Sequence, residues 1–375
     1  MARLYNFSAG PCTLPVPVLE QVAAELLDYR GPTGQSHGMS IIEMSHRTPP
    51  VEQARDRAAE RLRRLLGLGD DWHVLFLAGG ATFQFGMLAM NLLTPGANGQ
   101  ARKASYTHSG AWAKKAIADA KLIGDVDVVF NGEPEKFMTL PDPASAEAAA
   151  TDGSTYLHLT SNETIGGVQW KAFPTKAHAN APIVADMSSD FLSRPIDLDP
   201  FGLIYAGAQK NIGPAGVTVV LIRDELLNQC DGKLINYLNY AGHAKGHSML
   251  NTPPVFQIYM VELVLEWLEN QGGLVWAQEM ATKRSTLLYQ AIAKHGAFYR
   301  CPVDPAYRST MNVVFRLPSE DLEKQFIAQA DAKGLSGLKG HRSVGGCRAS
   351  IYNAMTLDGV ETLAAFMDDF AAKHG

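Results

Sequence analysis

The chain has 375 residues, 46% of them hydrophobic, and a formal net charge of −5 at pH 7. This length is too great for one ordinary hydrophobic core, so we expect two domains. The chain lacks the basic excess typical of nucleic-acid-binding proteins, and it contains no run of about 18 apolar residues that would cross a membrane.

The first fifteen residues are predicted to form an extended arm. They lack the long apolar segment of a secretory signal. The four cysteines are far apart in the sequence and form no CxxC pair: Cys12, Cys230, Cys301 and Cys347. This pattern favours reduced thiols in a cytoplasmic protein.

Helix and strand candidates alternate after the arm. One helix opens at Pro17 and a second ends near Gly67, and a short buried strand then leads into Gly79 and Gly80. The alternation continues to the segment IYAGAQKNIGPAGVTVVLI, residues 204–222. Such alternation predicts an α/β fold with a mainly parallel sheet covered on both faces.

A long helix is predicted within residues 251–273. We expect Asn251 or Thr252 to cap it, two prolines to start it and Gly272 to end it. The domain junction is placed along this helix, because the remainder reads as a smaller α+β domain. The predicted organisation is an arm of residues 1–15, a large domain of residues 16–265 and a small C-terminal domain of residues 266–375.

Three predicted strand ends carry groups that suit chemistry. Gly79-Gly80 precedes Ala81 and Thr82 at a helix start, where an anion can bind, although a glycine pair there is more often only a tight turn. Asp186 ends another strand and is either a helix cap or a buried carboxylate. Lys210 ends the next, as a loop lysine that reaches water or as a reactive amine.

The three groups together match the needs of pyridoxal 5′-phosphate. A helix start holds its phosphate, a carboxylate keeps its pyridine nitrogen protonated, and a lysine forms the Schiff base with its aldehyde. Trp112 begins a helix and is a candidate to stack on the ring, although a lone tryptophan is more often part of a core.

The chain resembles the phosphoserine aminotransferase family, class V aminotransferases within the fold-type I pyridoxal phosphate enzymes, from end to end. The matching segments are NFSAGPCTLP, EMSHR, GGATFQF, SNETIGG, VADMSS, YAGAQKNIGPAG, LNTPP and GHRSVGGCRASIYNA. The resemblance implies a large domain with a sheet of the seven-stranded type. It also implies a homodimer with shared active sites.

The resemblance further implies a role for each cofactor-binding residue. Lys210 carries the cofactor, Asp186 meets the pyridine nitrogen, and Thr164 bonds the region of the ring 3-hydroxyl. Trp112 stacks on the ring. The phosphate is bound by Gln209, Ala81 and Thr82, and by Asn251 and Thr252 of the neighbouring subunit. Some family members carry a basic residue at the position of Thr82.

Cationic residues concentrate in two short stretches, SHR and GHRSVGGCR. They are His46, Arg47, His341, Arg342 and Arg348. Either stretch alone is as well explained by ordinary surface charge, but together they suit a substrate with two anionic groups. By resemblance, Arg348 binds the α-carboxylate and the other four receive the distal phosphate or carboxylate.

The implied reaction is amino transfer from L-glutamate to 3-phosphohydroxypyruvate, giving 2-oxoglutarate and O-phospho-L-serine in serine biosynthesis. Use of 3-hydroxy-2-oxo-4-phosphooxybutanoate, of vitamin B6 biosynthesis, stays open. No metal is expected, because His243 and His247 are predicted to lie in a loop without a third ligand.

Two alternatives remain at this stage. The first is another enzyme of the same fold, either a different aminotransferase or a cysteine desulfurase, which needs a mobile cysteine; the strand-like context of Cys347 does not favour that role. The second is a dinucleotide-dependent oxidoreductase, although the sequence has no G-x-G-x-x-G.

Overall fold

The structure is a computed structural model that describes residues 3–95, 99–149, 152–174, 181–230 and 233–375. The helices are α1 (Val16–Glu25), α2 (Pro49–Leu66), α3 (Gly80–Leu92), α4 (Ala111–Ala120), α5 (Pro143–Ala149), α6 (Asp224–Leu227), α7 (Tyr240–Lys245), α8 (Val255–Gln271), α9 (Gly273–Lys294), α10 (Glu320–Ala332) and α11 (Leu357–His374). The strands are β1 (Tyr5–Asn6), β2 (Trp72–Leu77), β3 (Lys103–His108), β4 (Asp125–Asn131), β5 (Ser154–Thr160), β6 (Asn162–Glu163), β7 (Val168–Gln169), β8 (Ile183–Asp186), β9 (Phe201–Gly207), β10 (Thr218–Arg223), β11 (Asn312–Phe315), β12 (Leu335–Ser336) and β13 (Cys347–Ser350).

A seven-stranded sheet forms the centre of the molecule, in the order β2-β10-β9-β8-β5-β3-β4. The pairs β9–β8, β8–β5, β5–β3 and β3–β4 are parallel, whereas β10 runs antiparallel to both β9 and β2. Every residue of β8 and β9 is buried, as expected for strands covered on both faces. The predicted mainly parallel sheet is confirmed.

The carboxyl ends of six strands, all except β10, meet at one edge of this sheet. Because β2 is antiparallel to β10, and β10 to β9, strand β2 points the same way as β8 and β9. The turn after β2 starts α3, the turn after β3 leads to α4, and β8 ends at Asp186. Ligands of open α/β sheets bind at this edge.

The C-terminal part of the chain builds a core of its own. It contains buried side chains from Leu288 to Ala371, and Phe7 of the arm also packs in it. Strand β1 pairs in parallel with β12, which fastens the arm to this part. Helix α9 contributes Leu274 to the core around the large sheet and Leu288 to the C-terminal core. The predicted domain division between residues 265 and 266 stays a prediction, and residues 1 and 2 of the arm lie outside the described residues.

The predicted cap of α8 is wrong. The helix begins at Val255, its N-cap position is Pro254, and no side chain caps it. Instead, Asn251 Nδ2 donates to the carbonyl of Thr252. A cap at Asn251 would need N–H donors two and three residues on, and both positions are prolines without an N–H. The predicted end is confirmed, since Gly272 adopts φ 115° after Gln271.

The predicted loop around His243 is also wrong, because His243 lies in the short helix α7. The Asn239 side chain caps this helix by accepting from the Ala241 N–H. The His243 ring bonds through Nε2 to the Tyr237 carbonyl. Among the helices in the described ranges, none is both long and apolar enough to span a membrane.

Candidate active site

Lys210 lies in the loop that follows β9, and its amine points into the protein. Nζ donates to Thr164 Oγ1 over 2.7 Å and stands 5.2 Å from the centre of the Trp112 ring. Thr164 is buried at the turn after β6. Of the two interpretations of Lys210, the structure therefore favours an enclosed amine over one that reaches water.

The arm packs directly on the lysine loop. The Cys12 N–H donates to the Gln209 carbonyl over 3.1 Å, and Cys12 Sγ donates to the Lys210 carbonyl over 2.5 Å. A Cβ at Gly10 would stand 3.3 Å from Lys210 Cγ. The N-terminal arm thus holds the backbone that presents the amine.

Asp186 is 5% exposed at the end of β8, the strand next to β9. Its Oδ1 accepts from the Ser188 N–H over 2.9 Å and from Ser188 Oγ over 2.6 Å. This is the local turn that an aspartate two residues before a serine forms. It satisfies one carboxylate oxygen and leaves the charge buried.

The charges of Lys210 and Asp186 influence each other. Burial lowers the pKa of the Lys210 amine, and the Asp186 carboxylate partly opposes that shift. Burial likewise raises the pKa of Asp186, and the Lys210 charge opposes it. A buried amine with a lowered pKa loses its proton more readily than a surface lysine, as a nucleophile or general base requires.

Glu163 is a site residue that the sequence analysis did not single out. It is 1% exposed, and its two oxygens accept from the backbone N–H groups of Trp112 and Ala113, at 3.1 and 2.9 Å. These are first-turn donors of α4, so Glu163 fixes the start of the helix that carries Trp112. Burial raises the pKa of Glu163 to about 7. The available signal was its place in SNETIGG, directly before Thr164.

Helix α3 starts at the turn after β2 and is open to an anion. Its N-cap residue, Gly79, has φ 98°, and no side chain caps the helix. Ala81 and Thr82 therefore lie in a first turn whose N–H groups lack a side-chain acceptor. Gln209 precedes Lys210 at the same edge of the sheet.

Arg348 is a predicted substrate-binding residue that shares Thr164 as a partner with the Lys210 amine. Its Nη1 donates to the Thr164 carbonyl over 3.2 Å, while its buried Nε has no partner. His341 lies near Arg348, Arg342 and Lys115, whose charges, after burial, lower its pKa. Lys115, whose Nζ stands 4.2 Å from the centre of the Trp112 ring, was missed by the sequence analysis.

Four predicted residues are not brought to Lys210 within the chain. Arg47, Asn251 and Thr252 are exposed, and His46 is half-buried with an unpartnered Nε2. In the described part of the chain, no hydrogen bond or ion pair links these four residues to Lys210, Asp186 or Arg348. Their predicted roles in binding the phosphate and the substrate therefore require contacts that this single chain does not make among its described residues.

A sequence profile described as "Aminotransferase class-V" matches residues 4–363. The chain belongs to the class-V aminotransferase family. A phosphoserine aminotransferase of Niallia circulans is 49% identical, with 100% of this chain and 99% of that protein covered. The solved phosphoserine aminotransferase from Bacillus circulans subsp. alkalophilus is 48% identical with a TM-score of 0.93, covering 100% and 99%. The enzyme from Trichomonas vaginalis, solved with pyridoxal phosphate bound, is 34% identical with a TM-score of 0.88, covering 98% and 100%.

Membership in this family makes the chain a pyridoxal-phosphate-dependent transaminase and confirms the predicted fold-type I architecture. The dinucleotide-dependent oxidoreductase is thereby set aside. The site fits the cofactor on its own evidence: a partly buried amine that points inward, a buried carboxylate on the adjacent strand, and a helix start without a capping side chain.

Proposed function

We propose that the chain transfers the amino group of L-glutamate to 3-phosphohydroxypyruvate, giving 2-oxoglutarate and O-phospho-L-serine. The observation that carries this proposal is the enclosed Lys210 amine, 2.7 Å from Thr164 Oγ1 and one strand away from the buried Asp186. Full-length relatives named phosphoserine aminotransferase support the choice of substrate.

The cofactor would be held by residues on the shared sheet edge. When bound, pyridoxal phosphate supplies an aldehyde for the lysine amine and a ring that accepts electrons. Asp186 would place its charge at the pyridine nitrogen, Trp112 would stack on the ring, and Thr164 would bond beside the ring 3-hydroxyl. The phosphate would meet a group of side chains and backbone donors: Ala81, Thr82, Gln209, Asn251 and Thr252.

Lys210 Nζ would also move the proton that the reaction requires. Because burial lowers the pKa of this amine, it can accept a proton from the substrate Cα and return it later. Thr164 Oγ1 holds the amine in place at 2.7 Å. A base held within the protein loses little entropy at the reacting step.

Substrate charge would be matched by the cationic residues around Arg348. Arg348 presents a guanidinium beside Thr164 and suits the α-carboxylate. His341 and Arg342, with His46 and Arg47, would receive the second anionic group, a phosphate or the glutamate side-chain carboxylate. The same arrangement would accept the longer phosphorylated keto acid of the vitamin B6 pathway.

The working enzyme would be a cytoplasmic homodimer. By their family resemblance, Asn251 and Thr252 would reach the cofactor phosphate of the neighbouring subunit. Their exposure leaves them available for such a contact.

Substituting the lysine tests the proposal. Lys210→Ala should reduce glutamate-dependent amino transfer to 3-phosphohydroxypyruvate at least about a thousandfold, since both the nucleophile and the proton carrier are lost. The exposed Lys121→Ala is the matched control and should keep its activity. Near-normal turnover by Lys210→Ala, with both variants folded by circular dichroism, would refute the assignment.

A further inference from the structure

A cavity adjoins the candidate active site and is lined by none of the residues proposed to bind the cofactor. Its volume is about 530 Å³, and it lies between the turn after β4, the segment that follows Thr164, and strand β11. It shares Arg348 with the active site, whereas Lys210, Asp186, Trp112 and Thr164 do not line it. We call this cavity the side cleft.

The side cleft is strongly cationic. Four of its lining residues are basic, namely Lys136, Arg300, Arg316 and Arg348, and none of its described lining residues is acidic. Glu323 Oε1 lies 3.6 Å from Arg316 Nη1 and neutralises only the charge of Arg316. Like charges that share a cleft repel one another, and an anion removes this cost.

Two of these cations are uncommitted. In the described ranges, the side chains of Lys136 and Arg300 make no hydrogen bond or ion pair. Lys136 and Phe137 also adopt positive φ values of 54° and 57°, a conformation that non-glycine residues seldom take. Lys136 ends the short 3-10 turn of Glu133–Glu135 in this conformation, and strained residues of this kind cluster at ligand-binding segments.

Apolar side chains complete the lining. Phe137 and Met138 come from the turn after β4, and Val303 and Val314 come from the C-terminal part. A cavity of this volume has the size of small-molecule sites, which combine an apolar wall with a few oriented charges.

We propose that the side cleft binds a small organic anion with at least two negative charges on an apolar body, at a site separate from that of the transamination substrate. The charges meet Lys136, Arg300 and Arg316, and the apolar body meets Phe137 and Val314.

Binding there would act on the substrate-binding loop. An Arg316 Nη donates to the Val344 carbonyl, and Val344 lies in the same loop as His341 and Arg342. An anion that draws the Arg316 guanidinium toward itself weakens this anchor. The KM for the phosphorylated substrate should then rise several-fold, a consequence that rests on the proposed function, whereas binding itself does not.

The test titrates the holoenzyme with phenyl phosphate and with phthalate by calorimetry, in the absence of turnover. These probes place a phosphate or two carboxylates on the same apolar ring, and inorganic phosphate serves as the probe without the ring. The variants are Lys136→Gln and Arg300→Gln. Lys121→Gln is the surface control, and Arg342→Gln reports binding at the substrate site.

We expect saturable binding of at least one ring probe, tighter than that of inorganic phosphate. Each cleft variant should weaken it about five- to tenfold, the loss of one charge-assisted contact. Lys121→Gln and Arg342→Gln should leave it within about twofold. If Arg342→Gln loses binding while both cleft variants bind as the wild type does, the anion lies at the substrate site and the proposal is overturned. The absence of saturable binding to the wild-type enzyme would overturn it as well.

Discussion

Asp186 can be changed so that its charge disappears while its hydrogen bonds remain. An asparagine Oδ1 can still accept from the Ser188 N–H and Oγ, so the local turn should survive. The negative charge that supports the protonated form of Lys210 would be lost, and with it the charge that we propose for the cofactor pyridine nitrogen.

Asp186→Asn should therefore lower the kcat for amino transfer at least about a hundredfold with little change in the melting temperature of the holoenzyme. The exposed Asp369→Asn is the matched control. Retained kcat in Asp186→Asn would remove Asp186 from the catalytic residues.

Glu163 should give the enzyme a distinctive pH dependence of stability. Burial raises its pKa from 4.5 to about 7, so the folded state holds a proton that the unfolded chain releases between these values. The stabilisation is complete below pH 4.5 and is lost as the pH rises through 7. Glutamine cannot titrate.

The stability advantage of wild type over Glu163→Gln should shrink by about 2 kcal/mol between pH 5 and pH 8. Urea unfolding of both holoenzymes at the two pH values measures it. Glu361→Gln, on the exposed face of α11, should show no such change. A constant difference across this range would mean that Glu163 is ionised throughout.

The candidate site residues that could be predicted from the sequence were those at the ends of strands. Lys210 and Asp186 each follow an apolar run, which places them at the ligand-binding edge of a parallel sheet. Glu163 and Lys115 could not be found in this way, because their roles depend on which helix start or ring lies opposite them. That information exists only after β3, β5 and β8 have paired.

At the scale of elements, α2 and α8 are joined by an ion-pair network. Glu262 is 2% exposed, and its Oε1 accepts from Arg57 Nε at 3.2 Å and from Arg61 Nε at 3.3 Å. Glu266 also pairs with Arg61, at 2.7 Å, but it is 38% exposed. Burial raises the pKa of Glu262, and the two guanidinium groups oppose that shift.

Glu262→Gln should lower the free energy of unfolding by about 1–3 kcal/mol, because it leaves the partly buried Arg57 without a carboxylate partner, whereas Arg61 keeps Glu266 and Glu269. Glu266→Gln, on the same helix and with the same partner, should cost less than about 1 kcal/mol. Chemical denaturation of the two variants compares them directly. Equal losses would show that burial does not govern the strength of this network.

The positions of helices and strands could be predicted from the periodicity of the sequence. Their ends could be predicted only where the backbone chemistry of one residue is decisive. Gly272 ends α8 because it can adopt a positive φ. The predicted cap at Asn251 failed because the prolines that favour a helix start also remove the N–H groups that a cap would bind. The sequence pattern does not show which of the two effects of proline dominates, its preference for a helix start or its lack of an N–H donor.

At the scale of the whole molecule, the proposed phosphate site can be completed either by its own chain or by the neighbouring subunit. Asn251 lines a small pocket with Ala78 and Phe83 of its own chain, residues that flank the start of α3. Family resemblance instead assigns Asn251 and Thr252 to the phosphate of the neighbouring subunit. The sequence could not decide this, because contacts between identical chains leave no separate pattern in it.

Mixed dimers decide the question. Lys210→Ala and the double variant Asn251→Ala/Thr252→Ala should each be inactive as homodimers. Co-expressed with different affinity tags and purified through both, they form heterodimers that carry the intact Lys210 on one chain and the intact Asn251 and Thr252 on the other. If Asn251 and Thr252 act across the interface, the heterodimer should recover roughly half of the wild-type activity. If they act within their own chain, both sites stay defective and activity stays near zero; failure to isolate any doubly tagged species would contradict the homodimer itself.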